Sequence, residues 1–248
     1  NYQALNMAET TLQKMYAGGL FDHIGYGFCR YSTDRYYLVP HFEKMLYDNA
    51  LLILAYCKAY ELTRRSFYLE VAQKTASYIL TEMTAPNGGF YSAQDADSDG
   101  EEGKYYVFTP EEIIGLLGQA DGAAFCEWFG ITKAGNFKGK SIPNLLHAKN
   151  LTDEPFDPFL PALREYRRRR TPLHTDDKIL TVWNALMIVA LCRLYRCSRN
   201  SRYLEAAKRA QGFIENNLCR QNTLYVSFRD GKPVSYTHLR AHETLRHL

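Results

Sequence analysis

The sequence predicts a mainly α fold, built as a ring of helical hairpins, because it contains a long internal repeat of two helices. Residues 49–79 align without a gap on residues 184–214, at an offset of 135, with 14 of 31 positions identical. In each copy an apolar helix is followed by a short polar link and an amphipathic helix. An inner helix buried on all sides and an outer helix with a solvent face are typical of a toroid of αα-hairpins.

The remaining elements are predicted from local patterns along the chain. The first inner helix should open within 39–50, where V-P-H-F-E-K-M-L-Y-D-N-A leads into the apolar run. Between the copies, turn signals and helical spacing predict a strand pair within 90–108, helices at Pro110–Leu117, 122–129 and 159–168, and an extended segment at 131–146. Strand content is therefore low.

Composition limits the classes of partner. The 248 residues, 46% of them hydrophobic, suffice for a sizeable core in one or two domains. The formal net charge of +3 is nearly balanced, and arginines 167–170 follow a predicted helix whose dipole they complement, so we expect no nucleic-acid partner. No apolar run is long enough to span a membrane, and we expect no membrane contact. Six cysteines without a C-x-x-C pair indicate a reducing, cytoplasmic location.

Ionisable residues cluster at the start of the inner helices. At about 100° per residue, His41, Lys44 and Asp48 share one stripe, and the offset of 135 places Asp176 over His41 and Trp183 over Asp48. Charges on an apolar helix are costly unless they face a cavity, so we expect these side chains to line a mouth. Simpler roles remain open: Asp176 would cap a helix, and His41 would be an ordinary first-turn histidine. Lys44 and Asp48 would form an i, i+4 ion pair.

An acidic stretch, Q-D-A-D-S-D-G-E-E-G, lies between the copies. Asp95, Asp97, Asp99 and Gly100 match four positions of an EF-hand loop, but Tyr106 stands where the bidentate glutamate belongs. Calcium is therefore disfavoured and we expect no metal. A solvated acidic turn and a loop that holds carboxylates over the mouth both remain open.

Three motifs carry a family resemblance: VPHFEKMLYDNALL, GGFYSAQDADSDGEEGKYYVFTPEE and HTDDKILTVWNALM. Together they resemble the YyaL-like, spermatogenesis-associated protein 20 family of thioredoxin-domain-containing proteins, over residues 1–231. The resemblance implies a thioredoxin-like domain, which we expect to be absent from this chain, followed by an (α/α)6 toroid of the six-hairpin glycosidase type. It implies an incomplete toroid with a small β-hairpin insertion here, similar to N-acylglucosamine 2-epimerases and several glycoside hydrolases.

The resemblance implies that the toroid binds or processes carbohydrate, with no cofactor. We expect catalytic roles for Asp48, His41, Asp97 and Asp176. For substrate binding we expect Trp183, which would stack on a sugar ring, with Lys44, Asp95, Asn184 and Tyr31. A pair of carboxylates would serve hydrolysis, whereas His41 would be the base of an epimerase.

A non-catalytic alternative is also open. The toroid would then recognise a ligand or partner and present it to the thioredoxin-like domain of the parent chain. We expect the isolated chain to be an inactive fragment, because half a toroid leaves inner helices exposed. Residues 232–248 fit neither the repeat nor the family, since 235–248 resemble a translated adapter sequence. We expect them to be a non-native, disordered tail.

Overall fold

The computed structural model describes residues 2–153, 155–220 and 223–234, and within them the predicted mainly α fold is confirmed. The helices are α1 Tyr2–Ala17, α2 Leu46–Thr63, α3 Ser66–Glu82, α4 Pro110–Leu117, α5 Gln119–Trp128, α6 Leu160–Arg170, α7 Thr181–Ser198 and α8 Ser201–Asn217. Within these ranges no helix combines the length and the apolarity that crossing a bilayer requires.

Short strands connect the helices. They are β1 Tyr31–Ser32, β2 Pro40–His41, β3 Lys44–Met45, β4 Ala93–Gln94, β5 Asp97–Ser98, β6 Glu101–Glu102, β7 Thr175–Asp176, β8 Ile179–Leu180, β9 Cys219–Arg220, β10 Thr223–Leu224, β11 Ser227–Arg229 and β12 Lys232–Val234. Two small sheets have three strands, in the orders β3-β4-β7 and β12-β11-β8. Strands β5 and β6 form the predicted β-hairpin insertion.

The two repeats fold as matching helical hairpins. Helices α2 and α3 form the first and α7 and α8 the second, with α2 and α7 packed side by side. Arg64 and Arg199, at equivalent positions of the two links, both adopt the left-handed conformation and close the inner helix through their backbone N–H groups. This cap lets the chain reverse within two residues.

The start of the first inner helix differs from the prediction. Helix α2 begins at Leu46, so His41 and Lys44 precede it and lie in β2 and β3. Asp176 likewise lies in β7 and caps no helix. The helical stripe predicted for these residues is wrong, because their backbones pair across sheets: Lys44 with Gln94, and Asp176 with Ala93.

An asparagine clamp holds the first turn of each inner helix. The N–H of Phe28 donates to Asn49 Oδ1 at 2.8 Å, and Asn49 Nδ2 donates to the Phe28 carbonyl at 3.0 Å. Asn184 makes the same pair of bonds with Phe90, at 2.8 and 3.0 Å. Both asparagines are fully buried, so each carboxamide satisfies a backbone N–H and C=O that water cannot reach.

A buried ion cluster connects the segment before α2 to helix α6. Lys44 Nζ and Arg167 Nη2 each donate to Asp22 Oδ2 at 2.8 Å. Lys44 Nζ also lies 4.4 Å from the Tyr78 ring centre, and Arg167 Cζ lies 4.5 Å from that of Tyr105. Burial alone would raise the pKa of Asp22, but the two cations outweigh it and hold that pKa well below its usual range.

Both inner helices also carry apolar side chains that are exposed to solvent. Leu51 and Leu62 of α2, and Val182 and Val189 of α7, are exposed. The prediction that these helices are buried on all sides is therefore wrong within the described residues, because α2 and α7 each have a flank that no described element covers.

The carboxyl-terminal residues fall in two groups. Lys232–Val234, expected to open the disordered tail, form strand β12 and pair with β11. Residues 235–248 lie outside the described residues.

The asparagine clamp gives a first testable prediction. Asn184→Ala leaves the buried N–H and C=O of Phe90 without partners, so the free energy of unfolding should fall by about 2–4 kcal/mol in urea titrations. Asn217→Ala is the matched control, since Asn217 is only half-buried and donates to one helical carbonyl. An equal loss in both variants would contradict the clamp.

The buried cluster of Asp22, Lys44 and Arg167 gives a second testable prediction. Asp22→Asn leaves two buried cations without their anion, so the free energy of unfolding should fall by about 3–5 kcal/mol at neutral pH. The pKa of Asp22 is lower in the folded protein than the value of 3.8 expected in the unfolded chain. Asp22 therefore stabilises the fold at any pH above 3.8, and this stabilisation is lost as the pH falls through the lower pKa of the folded state. The deficit should therefore shrink in acid, and a deficit that grows there would contradict the assignment. Asp230→Asn, in an exposed turn, is the control.

Candidate functional site

A hollow of about 480 Å³ opens beside the start of α7. Its lining residues are Glu43, Met45, Ser92, Ala93, Asp95, His174, Asp176, Lys178, Leu180, Trp183 and Arg229. Three of the predicted site residues, Asp95, Asp176 and Trp183, are among them. The lining contains both acidic and basic side chains, which suits a ligand with many hydroxyl groups better than a purely apolar one.

The sheet β3-β4-β7 forms one wall of the hollow. Its backbone is tied to the chain before α7, since the N–H of Asp95 donates to the His174 carbonyl at 2.9 Å. Ser92 also donates, through its N–H to the Asp176 carbonyl at 3.1 Å and through Oγ to the Lys178 carbonyl at 2.6 Å. These bonds fix the backbone that carries Asp95 and Asp176, so both carboxylates come from rigid positions.

An aromatic contact connects the two inner helices at the hollow. The rings of Tyr47 and Trp183 lie 4.8 Å apart, centre to centre, at 56°. Trp183 immediately precedes the clamp residue Asn184, as Asp48 precedes Asn49, so the repeat sets Asp48 and Trp183 at equivalent positions of neighbouring helices. Only Trp183 of this equivalent pair lines the hollow.

The predicted residue His41 belongs to an ionic cluster beside the hollow. Its Nδ1 lies 2.8 Å from Glu102 Oε1, its Nε2 lies 3.6 Å from Glu43 Oε2, and its ring stacks on Tyr31 at 5.1 Å. Arg30 Nη1 donates to Glu43 Oε2 at 2.9 Å. Because Glu43 also lines the hollow, this His41 cluster and the hollow share one wall.

Asp48 does not line the hollow, but its carboxyl group has a raised pKa. Burial raises its pKa to about 6, Arg30 works against that rise, and Glu43 adds to it. Its Oδ2 is buried and accepts no hydrogen bond from the described residues. This carboxyl group is therefore mostly ionised at pH 7, but it keeps a larger protonated fraction there than an ordinary aspartate does, which is the direction that a general acid requires.

The acidic stretch forms a hairpin. Strands β5 and β6 are joined through Asp99 and Gly100, both with positive φ, as a tight two-residue turn requires. Asp99 accepts from Lys104 at 2.9 Å and Thr171 at 2.8 Å, whereas Asp97 is exposed and pairs in register with Glu102. Among the described residues no three His, Cys, Asp or Glu side chains are grouped to hold a metal ion.

Six of the predicted site residues do not line the hollow: Tyr31, Lys44 and Asn184, expected to bind substrate, and His41, Asp48 and Asp97, expected to be catalytic. Lys44 is 1% exposed and bonds Asp22, because its side chain points to the face of the strand opposite the mouth. Asn184 is fully buried with both ends of its carboxamide bonded to backbone. Neither side chain can contact a ligand in the hollow.

Sequence reasoning missed several lining residues. Glu43 stands two positions after His41, so the two share a side of an extended chain, but a helix had been predicted there. His174 and Lys178 flank Asp176 closely in sequence and could have been found with it. Arg229 could not, because only the pairing of β11 with β8 brings it to the hollow.

Solved structures with a similar backbone are distant in sequence. The Lin0763 protein from Listeria innocua is 15% identical, with a TM-score of 0.48 over 90% of this chain and 42% of that one. A family 76 glycoside hydrolase from a bovine Bacteroides thetaiotaomicron strain is 14% identical, with a TM-score of 0.49 over 86% of this chain and 30% of that one.

Curated relatives are much more similar in sequence, although no protein-family model matches the chain. Spermatogenesis-associated protein 20 of Homo sapiens is 37% identical over 222 residues, covering 75% of this chain and 28% of the relative. The uncharacterized protein B0495.5 of Caenorhabditis elegans is 32% identical over 248 residues, covering 85% of this chain and 34% of the relative. The chain thus spans about a third or less of the relatives it matches, and by this similarity it belongs to the spermatogenesis-associated protein 20 family.

Proposed function

We propose that the hollow binds a carbohydrate, and that the parent protein processes it as a glycoside hydrolase or a sugar epimerase would. The observation that carries the proposal is the position of Trp183 on the rim of a hollow that also holds Asp95 and Asp176. An aromatic face beside carboxylates matches the two surfaces of a sugar, whose C–H face is apolar and whose hydroxyl groups are donors.

Two chemistries fit the neighbouring groups. For hydrolysis, Asp48 would donate a proton to the leaving oxygen and Asp176 or Asp97 would act as the ionised partner. For epimerisation, His41 would take the proton from carbon, with Glu102 holding its Nδ1–H and so leaving Nε2 to act as base. We keep both reactions in the proposal.

A recognition module without catalysis is the second candidate, and the ion pairs favour it. Lys178 Nζ lies 3.1 Å from Asp176 Oδ2, Glu43 pairs with Arg30, and Glu102 contacts His41. Carboxylates held in this way bind hydroxyl groups but transfer protons poorly. Such a module would present its ligand to the thioredoxin-like domain of the parent protein.

The proposed compartment is the cytoplasm. All six cysteines carry free thiols, and three of them are buried among apolar side chains. This usage supports a reducing environment.

Sugar binding is testable with Trp183 as the reporter. The chain has two tryptophans, and Trp128 packs on Phe156 away from the hollow, so Trp128→Phe leaves Trp183 as the only indole. In this variant, N-acetylglucosamine, methyl glucoside or glucose 6-phosphate should change the fluorescence saturably, with a Kd of about 1 mM. Glycerol, which has hydroxyl groups but no ring face, should not.

Matched variants locate the site. Asp176→Asn in the same background should weaken binding about fivefold, whereas Asp230→Asn should leave it unchanged. Absence of saturable change with all three sugars would refute the proposed function. Equal sugar affinity of the Asp176→Asn and Asp230→Asn variants would show that the sugar binds outside the hollow. Saturable binding without any product after long incubation would favour the recognition module.

The raised pKa of Asp48 predicts a pH-dependent gain from its neutral replacement. A raised folded pKa stabilises the protein below the unfolded value of 3.8, and this contribution disappears as the pH rises through about 6. Asp48→Asn removes the ionised group, so it should raise the free energy of unfolding by about 1 kcal/mol at neutral pH, discounted because Asp48 is half exposed. Thermal unfolding at acid and neutral pH tests this. A gain that is largest in acid would contradict it, and Asp230→Asn is the control.

A further inference from the structure

The two flanks of the inner-helix pair carry the same residues but have different exposure. On α2, Ala50, Ile53 and Cys57 form one stripe and are all fully buried. Their counterparts on α7 are Ala185, Ile188 and Cys192, identical in type. On α7 this stripe, the free face, is not buried: Ala185 is exposed and the other two are half-buried.

The packing of α7 on α2 explains the difference. The buried stripe of α2 continues to Glu61, which forms an ion pair with Arg193 of α7 and accepts a hydrogen bond from Cys197 at 3.6 Å. From α7, fully buried Met187 and Ala190 precede Arg193 at intervals of three residues. Helix α7 therefore covers the Ala-Ile-Cys stripe of α2, and the free face presents the same stripe to a further helix.

Charge is what separates the two faces. The counterpart of Glu61 on the free face is Arg196, which is exposed. Suppose that a further helix docks on the free face in the way that α7 docks on α2. The residue of that helix equivalent to Arg193 would then lie beside Arg196. An arginine at that position would be repelled, and a carboxylate would restore the ion pair with the signs reversed.

The same comparison disfavours a second copy of this chain. A second copy would offer the uncovered flank of its α2, where the counterpart of Arg193 is Lys58, also exposed. Lys58 would then face Arg196, and two like charges at one contact oppose docking.

The loop after α8 supplies an independent feature. The N–H of Leu46 donates to the Ser92 carbonyl at 2.9 Å, and its counterpart Thr181 donates to the Val226 carbonyl at 2.9 Å. Leu46 and Thr181 are 135 residues apart, whereas Ser92 and Val226, in the loops that they contact, are 134 apart. By the loop offset of 134, the counterpart of Phe90 is Leu224. Phe90 is buried under the clamp of Asn184, whereas Leu224 is 59% exposed. A helix on the free face would therefore also reach this loop.

We propose that the free face of α7 is a docking surface for an apolar partner helix with three defined positions. These are an asparagine that clamps the backbone of Leu224, a small residue where α7 has Ala190, and an aspartate or glutamate where α7 has Arg193. The partner repeats the packing of α7 on α2 one step around the ring, with the ion pair reversed.

Two synthetic helices test the charge rule against the full chain. Both copy residues 181–198 with Cys192→Ser and Cys197→Ser, and one also carries Arg193→Glu. Fluorescence anisotropy of the labelled peptides should show about tenfold tighter binding of the Arg193→Glu peptide. In the chain variant Arg196→Glu the preference should reverse. Arg209→Glu, on the exposed side of α8, should leave it unchanged.

Further variants locate the surface. Ala185→Arg adds bulk and charge at an exposed position, so the chain folds, and neither peptide should bind it. Asn184→Ala in the Arg193→Glu peptide should weaken binding by removing the clamp. Equal binding of both peptides to the unmodified and Arg196→Glu chains would overturn the proposal, as would full binding to Ala185→Arg. Dimerisation of the unmodified chain that Ala185→Arg abolishes would also overturn it, because the occupant would then be a second copy.

Discussion

The carboxamides of Asn49 and Asn184 hold the first turn of both inner helices against the preceding chain. Each asparagine satisfies a backbone N–H and C=O in a place without water, so the loop and the helix cannot shift independently. Asp48 and Trp183 stand one residue before these clamps. The proposed site residues Asp48 and Trp183 therefore stand on anchored backbone, as precise binding requires.

The helical hairpins were predictable because a repeat carries long-range information in the sequence itself. Two copies at one offset revealed inner and outer helices, and even the two-residue links at Arg64 and Arg199 coincide. The β5–β6 hairpin was predictable from its turn residues, but β3 and β7 were not, because each is two residues long and exists only through its pairing with β4. The spacing of His41 and Lys44 led us to predict that the helix begins before them. In the structure these residues pair with other strands instead, so tertiary contacts override the local pattern.

The candidate site shows the same division. Asp95, Asp176 and Trp183 were selected from the sequence and line one hollow in the structure, while their function stays a prediction. Lys44 was selected for the same reason, a charge within an apolar context, but it is neutralised by Asp22, whose other partner is 145 residues further along. Desolvation demands a partner for a buried charge, and sequence alone does not say whether a ligand or the protein supplies it.

A ring built from near-identical hairpins faces a problem of order, since any inner helix could dock on any free face. In this chain the apolar residues of the two stripes are the same, so apolar packing cannot distinguish them. The side chain at the end of each stripe, Glu61 on α2 and Arg196 on α7, does distinguish them, because an ion pair formed in one order becomes a like-charge contact in the other. Order is then set by repulsion in wrong arrangements as much as by attraction in the right one.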